Sequence, residues 1–295
     1  MKKLLVLAGP TASGKTTTAI RWSQSLGDVP IINADSRQFY QEMSIGTAKP
    51  SPKELASAPH YLFDHKSIHT PYDVGDYERE AVSLLNTLFE THDQAILVGG
   101  SGLYIRALCE GLDEFPEVTE VAKQKVADIF EKEGLDGLQA ALAKLDPETY
   151  HKIDLQNPRR LFRALEVCHI EGLPYSSYLK KSKKERPFVP VYHCLKWERA
   201  TLYERINQRV DLMLEAGLEA EAKGLFSYRE LRSLQTVGYR EFFSYFSDSN
   251  ITLSETVELI KQNTRRYAKR QITWFKQLPD CVYFHPDEWE EILGK

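Results

Sequence analysis

The sequence has few cysteines, no long apolar run and no internal repeat. Its four cysteines are far apart and form no Cys-x-x-Cys pair, which argues against a zinc finger and predicts free thiols in a reducing compartment. No apolar stretch approaches the roughly 18 residues that a membrane helix needs. The apolar run from Leu4 to Ala8 is too short for the core of a signal peptide. We therefore expect a cytoplasmic protein that makes no contact with a membrane.

The overall composition is that of a globular protein. Of 295 residues, 42% are hydrophobic and 27% are charged, which excludes collagen-like and wholly disordered chains. The 38 Lys and Arg residues nearly balance the 42 Asp and Glu residues. The net charge of −4 therefore neither favours nor excludes a nucleic-acid partner, and the distribution of charge has to decide.

The two signs of charge are segregated in the middle of the chain. Between Asp113 and Asp154 there are eleven acidic residues and five lysines, whereas Asn157 to Pro190 holds eight basic residues and three acidic ones. No strand pattern occurs in this part of the chain. We predict an all-helical insertion over residues 114–187, which interrupts a core made of residues 1–113 and 188–295.

The core shows the alternation of strands and helices that builds a parallel sheet. The predicted strands are Leu4–Ala8, Val29–Ala34, Ala95–Val98 and Val191–Leu195, and helices are predicted at Thr16–Leu26 and Leu103–Cys109. Ligands of such α/β folds bind beyond the carboxyl ends of the strands. We therefore expect the turn after the first strand and Asp35 after the second to face one crevice.

A phosphate-binding motif follows the first predicted strand. Gly9, Pro10, Thr11, Ala12, Ser13, Gly14, Lys15 and Thr16 match G-x-x-x-x-G-K-[ST] in full. In this P-loop, backbone N–H groups and the helix N-terminus bind phosphate oxygens, Lys15 adds positive charge, and Thr16 can hold Mg²⁺. The motif leaves open whether the phosphate belongs to a nucleotide such as ATP.

Polar residues follow two other predicted strands. Asp35 could coordinate Mg²⁺, accept a proton from a nucleophile, or simply cap a turn. Ser101, in the second Gly-rich turn, could bind a phosphate or a metal-bound water, or serve only the turn. Gly99 stands where many nucleotide hydrolases carry a Walker-B carboxylate, which argues against an ordinary ATPase.

A helix near residue 205 brings an arginine towards the core. Thr201 and Glu204 have the spacing of a capping box, and an apolar stripe follows at Leu202, Ile206, Val210 and Met213. Arg209 lies at the margin of this stripe. A largely buried arginine needs an anion, which is either an acidic core residue or a bound diphosphate.

The last predicted helix is basic on its outer face. The capping box of Thr252 and Glu255 opens it, and it extends to about Gln277. Its six basic residues have no acidic residue among them: Lys261, Arg265, Arg266, Lys269, Arg270 and Lys276. Together with the basic stretch from Lys180 to Arg186, this face favours a nucleic-acid surface over one that is only solvated. His60, His65 and His69 are interpreted as loop histidines rather than metal ligands.

Taken together, these residues resemble the bacterial tRNA dimethylallyltransferases, also called tRNA isopentenyltransferases, over nearly the whole chain. Besides the P-loop, the matching stretches are Asp35–Gln38 with Tyr40, Ile45–Pro50, Pro59–His60 with Asp64, Val98–Tyr104, Arg160 with Arg163–Val167, Val237–Arg240 and Lys269–Trp274. The P-loop alone would indicate only a superfamily.

The resemblance implies transfer of a dimethylallyl group from dimethylallyl diphosphate to N6 of the adenosine just 3′ of the tRNA anticodon. It implies that the P-loop binds the donor diphosphate with Mg²⁺, that Asp35 is the base, and that Ser101 supports catalysis where the family usually has Thr. It implies no obligate protein partner. The implied tRNA contacts are Asp35, Ser36, Arg37, Gln38, Lys123 (usually Arg in the family), Arg159, Arg160, Leu161, Phe162, Arg163, Gln235, Thr236, Val237, Gly238, Tyr239, Arg240, Lys269 and Arg270.

Three other functions share part of this pattern. A small-molecule kinase would use the same P-loop for ATP and the same Asp35 for a hydroxyl acceptor. A prenyltransferase acting on free AMP or ADP would use the same donor site. A non-catalytic, nucleotide-gated RNA-binding switch is disfavoured by the missing carboxylate after Val98, and the basic helix disfavours the first two.

Overall fold

The computed structural model describes residues 1–179 and 183–294, and the chain divides into two compact units. The first unit comprises Met1–Glu110 and Glu185–Lys295, and the second comprises Gly111–Lys184. Lys180 and Lys181 of the predicted basic stretch lie outside the described residues.

The first unit contains a parallel sheet of six strands. The strands are β1 (Lys3–Ala8), β2 (Ile31–Asn33), β3 (His60–Tyr61), β4 (Gln94–Gly99), β5 (Val189–Leu195) and β6 (Val282–Phe284), and their order is β3-β2-β4-β1-β5-β6. At the centre, Leu5 of β1 is paired with Ile96 of β4 and Val191 of β5. The predicted parallel α/β sheet is confirmed.

The two edge strands were not predicted. With two and three residues, β3 and β6 are too short to show a periodic pattern, and only their pairing with β2 and β5 defines them. His60 consequently lies in a strand rather than in the loop that was expected for it.

In the first unit, helices pack around the sheet. In the described residues of the second unit, all regular secondary structure is helical. The α-helices are α1 (Lys15–Ser25), α2 (Pro52–Leu55), α3 (Val74–Thr91), α4 (Gly102–Glu110), α5 (Glu120–Leu145), α6 (Pro147–Lys152), α7 (Pro158–Glu171), α8 (Arg199–Glu215), α9 (Leu218–Leu225), α10 (Tyr239–Ser247), α11 (Leu253–Phe275) and α12 (Trp289–Ile292). Short 3₁₀ helices occur at Tyr175–Tyr178, Phe226–Tyr228, Arg232–Leu234 and Pro286–Glu288.

Two of these helices test the predicted capping boxes. The prediction for α11 is confirmed, because the Thr252 Oγ1 accepts from the Glu255 N–H at 3.2 Å and Glu255 accepts from the Thr252 N–H at 2.8 Å. The prediction for α8 was wrong. This helix begins at Arg199, and the Glu198 carboxylate accepts from the N–H groups of Ala200 and Thr201 at 2.6 and 3.2 Å. A carboxylate one residue before the helix satisfies the first-turn donors earlier than the Thr201 hydroxyl could.

Apolar side chains cover both faces of the sheet, so its central strands are continuously hydrophobic. On one face Leu4 and Val6 pack in a cluster with Leu97 and Tyr77, and on the other Leu5 and Leu7 pack with Trp22. Because both faces of the sheet are covered by apolar side chains, polar groups that can bind a ligand are found at the ends of the strands.

The second unit has a small core of its own. Val126, Leu138 and Leu142 of α5 pack against Leu161 and Leu165 of α7. Within α5 the backbone departs from helical geometry at Gly134, whose φ is +63°. Throughout the described residues of both units, no helix is long and apolar enough to cross a membrane.

Candidate active site

A cavity of about 760 Å³ lies in the first unit at the carboxyl ends of β1, β2 and β4. Its lining includes Thr11–Thr16 of the P-loop, Asp35–Gln38 after β2, and Gly99 at the end of β4. Side chains of α8 and α11 complete the wall. The expectation that the P-loop and Asp35 face one crevice is confirmed.

The P-loop has a backbone that favours anion binding. Gly9, Ala12 and Gly14 all have positive φ, at +157°, +62° and +92°. Gly14 is the N-cap of α1 and provides no side-chain hydrogen bond to the first turn of the helix. The N–H groups that begin α1 are thereby left to a ligand, and the helix dipole adds positive potential at the same point.

Three side chains, one from the P-loop itself and two from later in the chain, donate hydrogen bonds to the carbonyl groups of the P-loop. Lys15 Nζ donates to the Pro10 carbonyl at 2.8 Å, Arg205 Nε to Ala12 at 3.0 Å, and Trp197 Nε1 to Ser13 at 2.9 Å. The Arg205 guanidinium also lies 4.3 Å from the centre of the Trp197 ring. With its carbonyl oxygens already bonded, the loop presents N–H donors to an anion rather than acceptors that would repel it.

Positive charge is concentrated beside the P-loop. Burial lowers the pKa of Lys15 to about 8, although Asp35 opposes this effect. Arg209 donates to the Thr11 hydroxyl at 3.3 Å, and burial, followed by the neighbouring Arg205, lowers its pKa. In the described part of the chain Arg209 forms no salt bridge with a carboxylate. The negative charges of Asp35 and Glu54 oppose this lowering of its pKa, and the position of Arg209 beside the P-loop also suits a bound diphosphate, so both of its expected anions fit the geometry.

Asp35 lies two residues beyond β2 and faces the same cavity as Lys15. One of its carboxylate oxygens accepts from the Arg37 N–H at 3.0 Å, and its own N–H donates to the Asn33 side chain at 2.9 Å. Asp35 therefore caps a turn, as one alternative predicted. This turn holds the carboxylate at the cavity wall, so the capping role is compatible with a role as base.

Ser101 fixes the segment that carries Asp35. Its hydroxyl accepts from the Ser36 N–H at 3.0 Å and donates to the Ser36 hydroxyl at 3.1 Å. The backbone after β2 also lies against the end of β4, and this contact explains the missing Walker-B carboxylate. A Cβ at Gly99 would lie only 2.3 Å from the Ala34 carbonyl oxygen. No side chain of any kind fits at that position.

The inward face of α11 contributes two polar residues, Tyr267 and Gln271, to the site. Gln271 Oε1 accepts from the Thr11 N–H at 2.8 Å, and its Nε2 donates to the Gly100 carbonyl at 2.8 Å. Tyr267 lines the cavity, and burial raises the pKa of its hydroxyl to about 12. Polar residues interrupting an apolar helical stripe were the signal in the sequence, whereas nothing marked Arg205 or Trp197.

Most of the residues expected to contact tRNA in the first unit border the cavity. These are Asp35–Gln38, Gln235–Gly238, Arg240 and Arg270. Arg37 is bonded to the carbonyl oxygens of Arg232 and Ser233 at 3.0 and 2.8 Å, and Lys269 is exposed on α11. Tyr239 is different, since it is fully buried and its hydroxyl donates to Glu221 at 2.6 Å.

The remaining expected tRNA contacts belong to the second unit. Arg159 and Arg160 are exposed in the first turn of α7, and the Arg163 guanidinium lies 5.3 Å from the centre of the Phe115 ring. Lys123 is paired with Glu120 at 2.6 Å. Phe162 is half-buried, whereas Leu161 is fully buried in the core of the unit and offers no side-chain surface to an RNA.

The residues at the cavity fit a magnesium ion that is shared with a ligand. The Thr16 hydroxyl lines the wall at the start of α1. No group of three or more His, Cys, Asp or Glu residues that could hold a metal occurs within the described chain. Mg²⁺ is commonly held by one or two protein ligands together with substrate phosphates, and this donor set is of that kind.

A P-loop at the end of the first strand of a parallel sheet, with Lys15 and Arg209 beside it at one cavity, defines an α/β protein of the P-loop class. The chain belongs to the IPP transferase family, whose model matches residues 38–278.

Named relatives agree with this assignment. The chain is 48% identical to a tRNA dimethylallyltransferase of Flavobacterium johnsoniae, over 96% of this chain and 93% of the relative. It is 44% identical to tRNA dimethylallyltransferase 1 of Bacteroides thetaiotaomicron, over 99% and 94% of the two chains. The predicted resemblance and the assignment to the prenyl-transferring enzymes are thereby confirmed.

Solved structures lead to the same family. A crystal structure of a tRNA isopentenylpyrophosphate transferase from Bacillus halodurans matches with a TM-score of 0.74 at 34% identity, covering 100% of this chain and 95% of that one. A eukaryotic dimethylallyltransferase acting on tRNA matches with a TM-score of 0.82 at 27% identity, over 98% of this chain and 76% of that one.

Proposed function

We propose that this protein transfers a dimethylallyl group from dimethylallyl diphosphate to N6 of the adenosine just 3′ of the tRNA anticodon and releases diphosphate. The observation that carries the proposal is a single cavity in which an anion-binding P-loop and the Asp35 carboxylate face each other. One side suits a diphosphate leaving group, and the other suits a nucleophile that must lose a proton.

The P-loop side would bind the donor. The first N–H groups of α1, Lys15 and Arg209 surround the diphosphate, whose negative charge grows as the bond between the allylic carbon and oxygen breaks. When bound, Mg²⁺ at the Thr16 hydroxyl would supply further neutralisation of the leaving group. Because these groups are already in place before the reaction, little reorganisation is needed in the transition state.

The Asp35 side would receive the acceptor. The N6 amine forms a bond to the allylic carbon, diphosphate leaves, and the proton lost from N6 passes to the Asp35 carboxylate. Ser36 and Ser101 hold the segment that carries Asp35, so the base is fixed relative to the sheet. Alignment of two bound substrates in this way supplies much of the rate of such reactions.

A tRNA acceptor agrees with the outer surface of α11. Arg266, Lys269 and Arg270 are exposed on this helix, and Arg270 also lines the cavity. Exposed cations beside a site are the usual means of binding a polyanionic backbone. A free AMP acceptor would need no such surface, and a tRNA substrate fits the expected cytoplasmic location.

The proposal is tested by offering two acceptors to the same enzyme. Carbon-labelled dimethylallyl diphosphate is incubated with Mg²⁺ and either unmodified tRNA or free AMP, and the tRNA is digested to nucleosides. We expect label in N6-substituted adenosine from the position after the anticodon, and none in a control tRNA carrying guanosine there. Label on free AMP but not on tRNA would contradict the proposal.

A further inference from the structure

Gln271 makes hydrogen bonds to both Gly-rich turns of the active site. It lies on the inward face of α11 and is only 5% exposed. Its amide oxygen accepts from the N–H of Thr11 in the P-loop, and its amide nitrogen donates to the carbonyl of Gly100 in the turn after β4, both at 2.8 Å. Both functions of one amide are thus used, each on a different turn.

The two turns serve opposite sides of the cavity. Thr11 belongs to the loop that would bind the donor diphosphate, and its hydroxyl contacts Arg209. Gly100 immediately precedes Ser101, whose hydroxyl bonds to both the N–H and the hydroxyl of Ser36, beside Asp35. The position of one turn relative to the other therefore sets the distance between the leaving group and the base.

Because Gly100 has no side chain, the amide of Gln271 can lie directly against its backbone. A Cβ at this position would lie 2.4 Å from Gln271 Nε2, far inside van der Waals contact, whereas the next closest atom outside Gln271, the Gly9 carbonyl oxygen, would be 3.7 Å away. The collision is therefore with Gln271 alone. A methyl group at residue 100 would displace the amide but not the surrounding backbone.

We propose that Gln271 is a positioning residue that aligns the donor with the base, an inference that rests on the proposed transfer reaction. It touches neither reacting atom. Groups other than Gln271, namely the α1 N-terminus, Lys15 and Arg209, would bind the diphosphate, so loss of Gln271 leaves affinity intact and misaligns the two substrates. Misalignment by about 1 Å is enough to lower a rate about 10²-fold.

A double-mutant cycle with Gln271→Ala and Gly100→Ala tests this role. The measurements are the single-turnover rate constant with both substrates saturating, the Kd of each substrate, and the Tm. We expect each single variant to lower the rate constant about 10²-fold while both Kd values stay within about 3-fold of wild type. In the Gln271→Ala background, Gly100→Ala should add less than about 3-fold, because the atom with which it collides is gone.

Thr256→Val provides the matched control. Thr256 is a buried polar residue on the same helix, 1% exposed, and its hydroxyl donates to the Thr252 carbonyl at 2.9 Å. We expect this variant to transfer at close to the wild-type rate, even where its Tm falls. A rate loss in Thr256→Val equal to that in Gln271→Ala would show that helix stability alone is responsible and would overturn the inference.

Other outcomes separate this inference from the proposed function. Wild-type transfer accompanied by a near wild-type rate in Gln271→Ala, or by fully additive effects in the cycle, would contradict the positioning role and leave the function standing. Absence of transfer by the wild-type enzyme would contradict the function itself.

Discussion

In the proposed reaction the chemistry depends on two residues, Lys15 and Asp35, which reach the cavity from different elements. Lys15 begins α1, and Asp35 follows β2. Each side chain is held by a hydrogen bond: Lys15 donates to the Pro10 carbonyl, and Asp35 accepts from the Arg37 N–H. Their charges therefore influence each other while their positions are set independently.

Replacement of Asp35 by Asn separates chemistry from binding. Asn keeps the shape of the side chain and removes its negative charge and its basicity. If Asp35 accepts the N6 proton, the single-turnover rate constant should fall by about 10²- to 10⁴-fold, with the Kd of the donor nearly unchanged. A near wild-type rate combined with weak tRNA binding would make Asp35 a recognition residue instead.

The ionisation of Lys15 predicts a pH dependence of donor binding. Because burial lowers the pKa of Lys15 to about 8, the side chain loses its proton as the pH rises through that value. A bound diphosphate favours the charged form, so binding should take up protons, and the Kd of the donor should increase above pH 8. Titration calorimetry in buffers of different ionisation enthalpy measures both effects.

The matched variant for this prediction is Lys15→Arg. Arginine keeps its charge at every accessible pH, so its Kd should be insensitive to pH over the range in which the wild type changes. A wild-type Kd that stays constant from pH 7 to pH 10 would show that the charge of Lys15 does not contribute to donor binding.

At the scale of the element, α11 has two different faces: one lines the cavity, and the other carries exposed basic residues. Tyr267 and Gln271 are separated by one turn on its inward face, and Arg266 and Lys269 are exposed on its outer face. Lys261, nearer the start of the helix, is instead paired with Asp211 at 2.8 Å and Glu258 at 3.3 Å. The basic surface is therefore confined to the second half of the helix.

Removing charge from that surface should affect tRNA binding alone. We expect Arg266→Ala with Lys269→Ala to weaken tRNA binding and to reduce the slope of log K against log salt by about one unit for each phosphate that the variant no longer binds. Lys3→Ala is the control, because Lys3 is exposed at the amino end of β1, away from the cavity. Equal salt slopes for the wild type and the double variant would mean that the face is only solvated.

Local patterns were sufficient to predict much of this architecture. The central strands, the P-loop and the capping box of α11 each follow from residues that are neighbours in the sequence. Contacts between distant segments were not predictable in this way. Glu221 on α9, for example, accepts from the N–H groups of Ser44, Ile45 and Gly46 and from the Tyr239 hydroxyl. Nothing in the sequence around Glu221 indicates these partners.

The same limit applies to the site. A glycine at position 99 was interpreted as a missing carboxylate, but its physical cause is contact with the Ala34 backbone, which only the fold brings near. Gln271 is a similar case, because its partners Thr11 and Gly100 are 260 and 171 residues away in the chain. The motif predicted the P-loop and its place between the first strand and the first helix, whereas the residues that hold that loop depend on tertiary packing.

At the scale of the whole molecule, the first unit holds the P-loop, Asp35 and the basic half of α11. The second unit, Gly111–Lys184, has its own core and exposes Arg159 and Arg160 at the start of α7. The carboxyl edge of the sheet thus brings together the groups to which the proposed function assigns anion binding and proton acceptance.

The central claim is that this cavity transfers a prenyl group and not a phosphoryl group, although P-loops serve both reactions. One reaction mixture decides between them: unmodified tRNA, Mg²⁺, carbon-labelled dimethylallyl diphosphate and ATP labelled in its γ-phosphate, with tRNA recovered after a single incubation. We predict that the carbon label appears in the tRNA and the phosphorus label does not, with Lys15→Ala lowering the transfer. Phosphorus label in the tRNA, with no carbon label, would contradict the account.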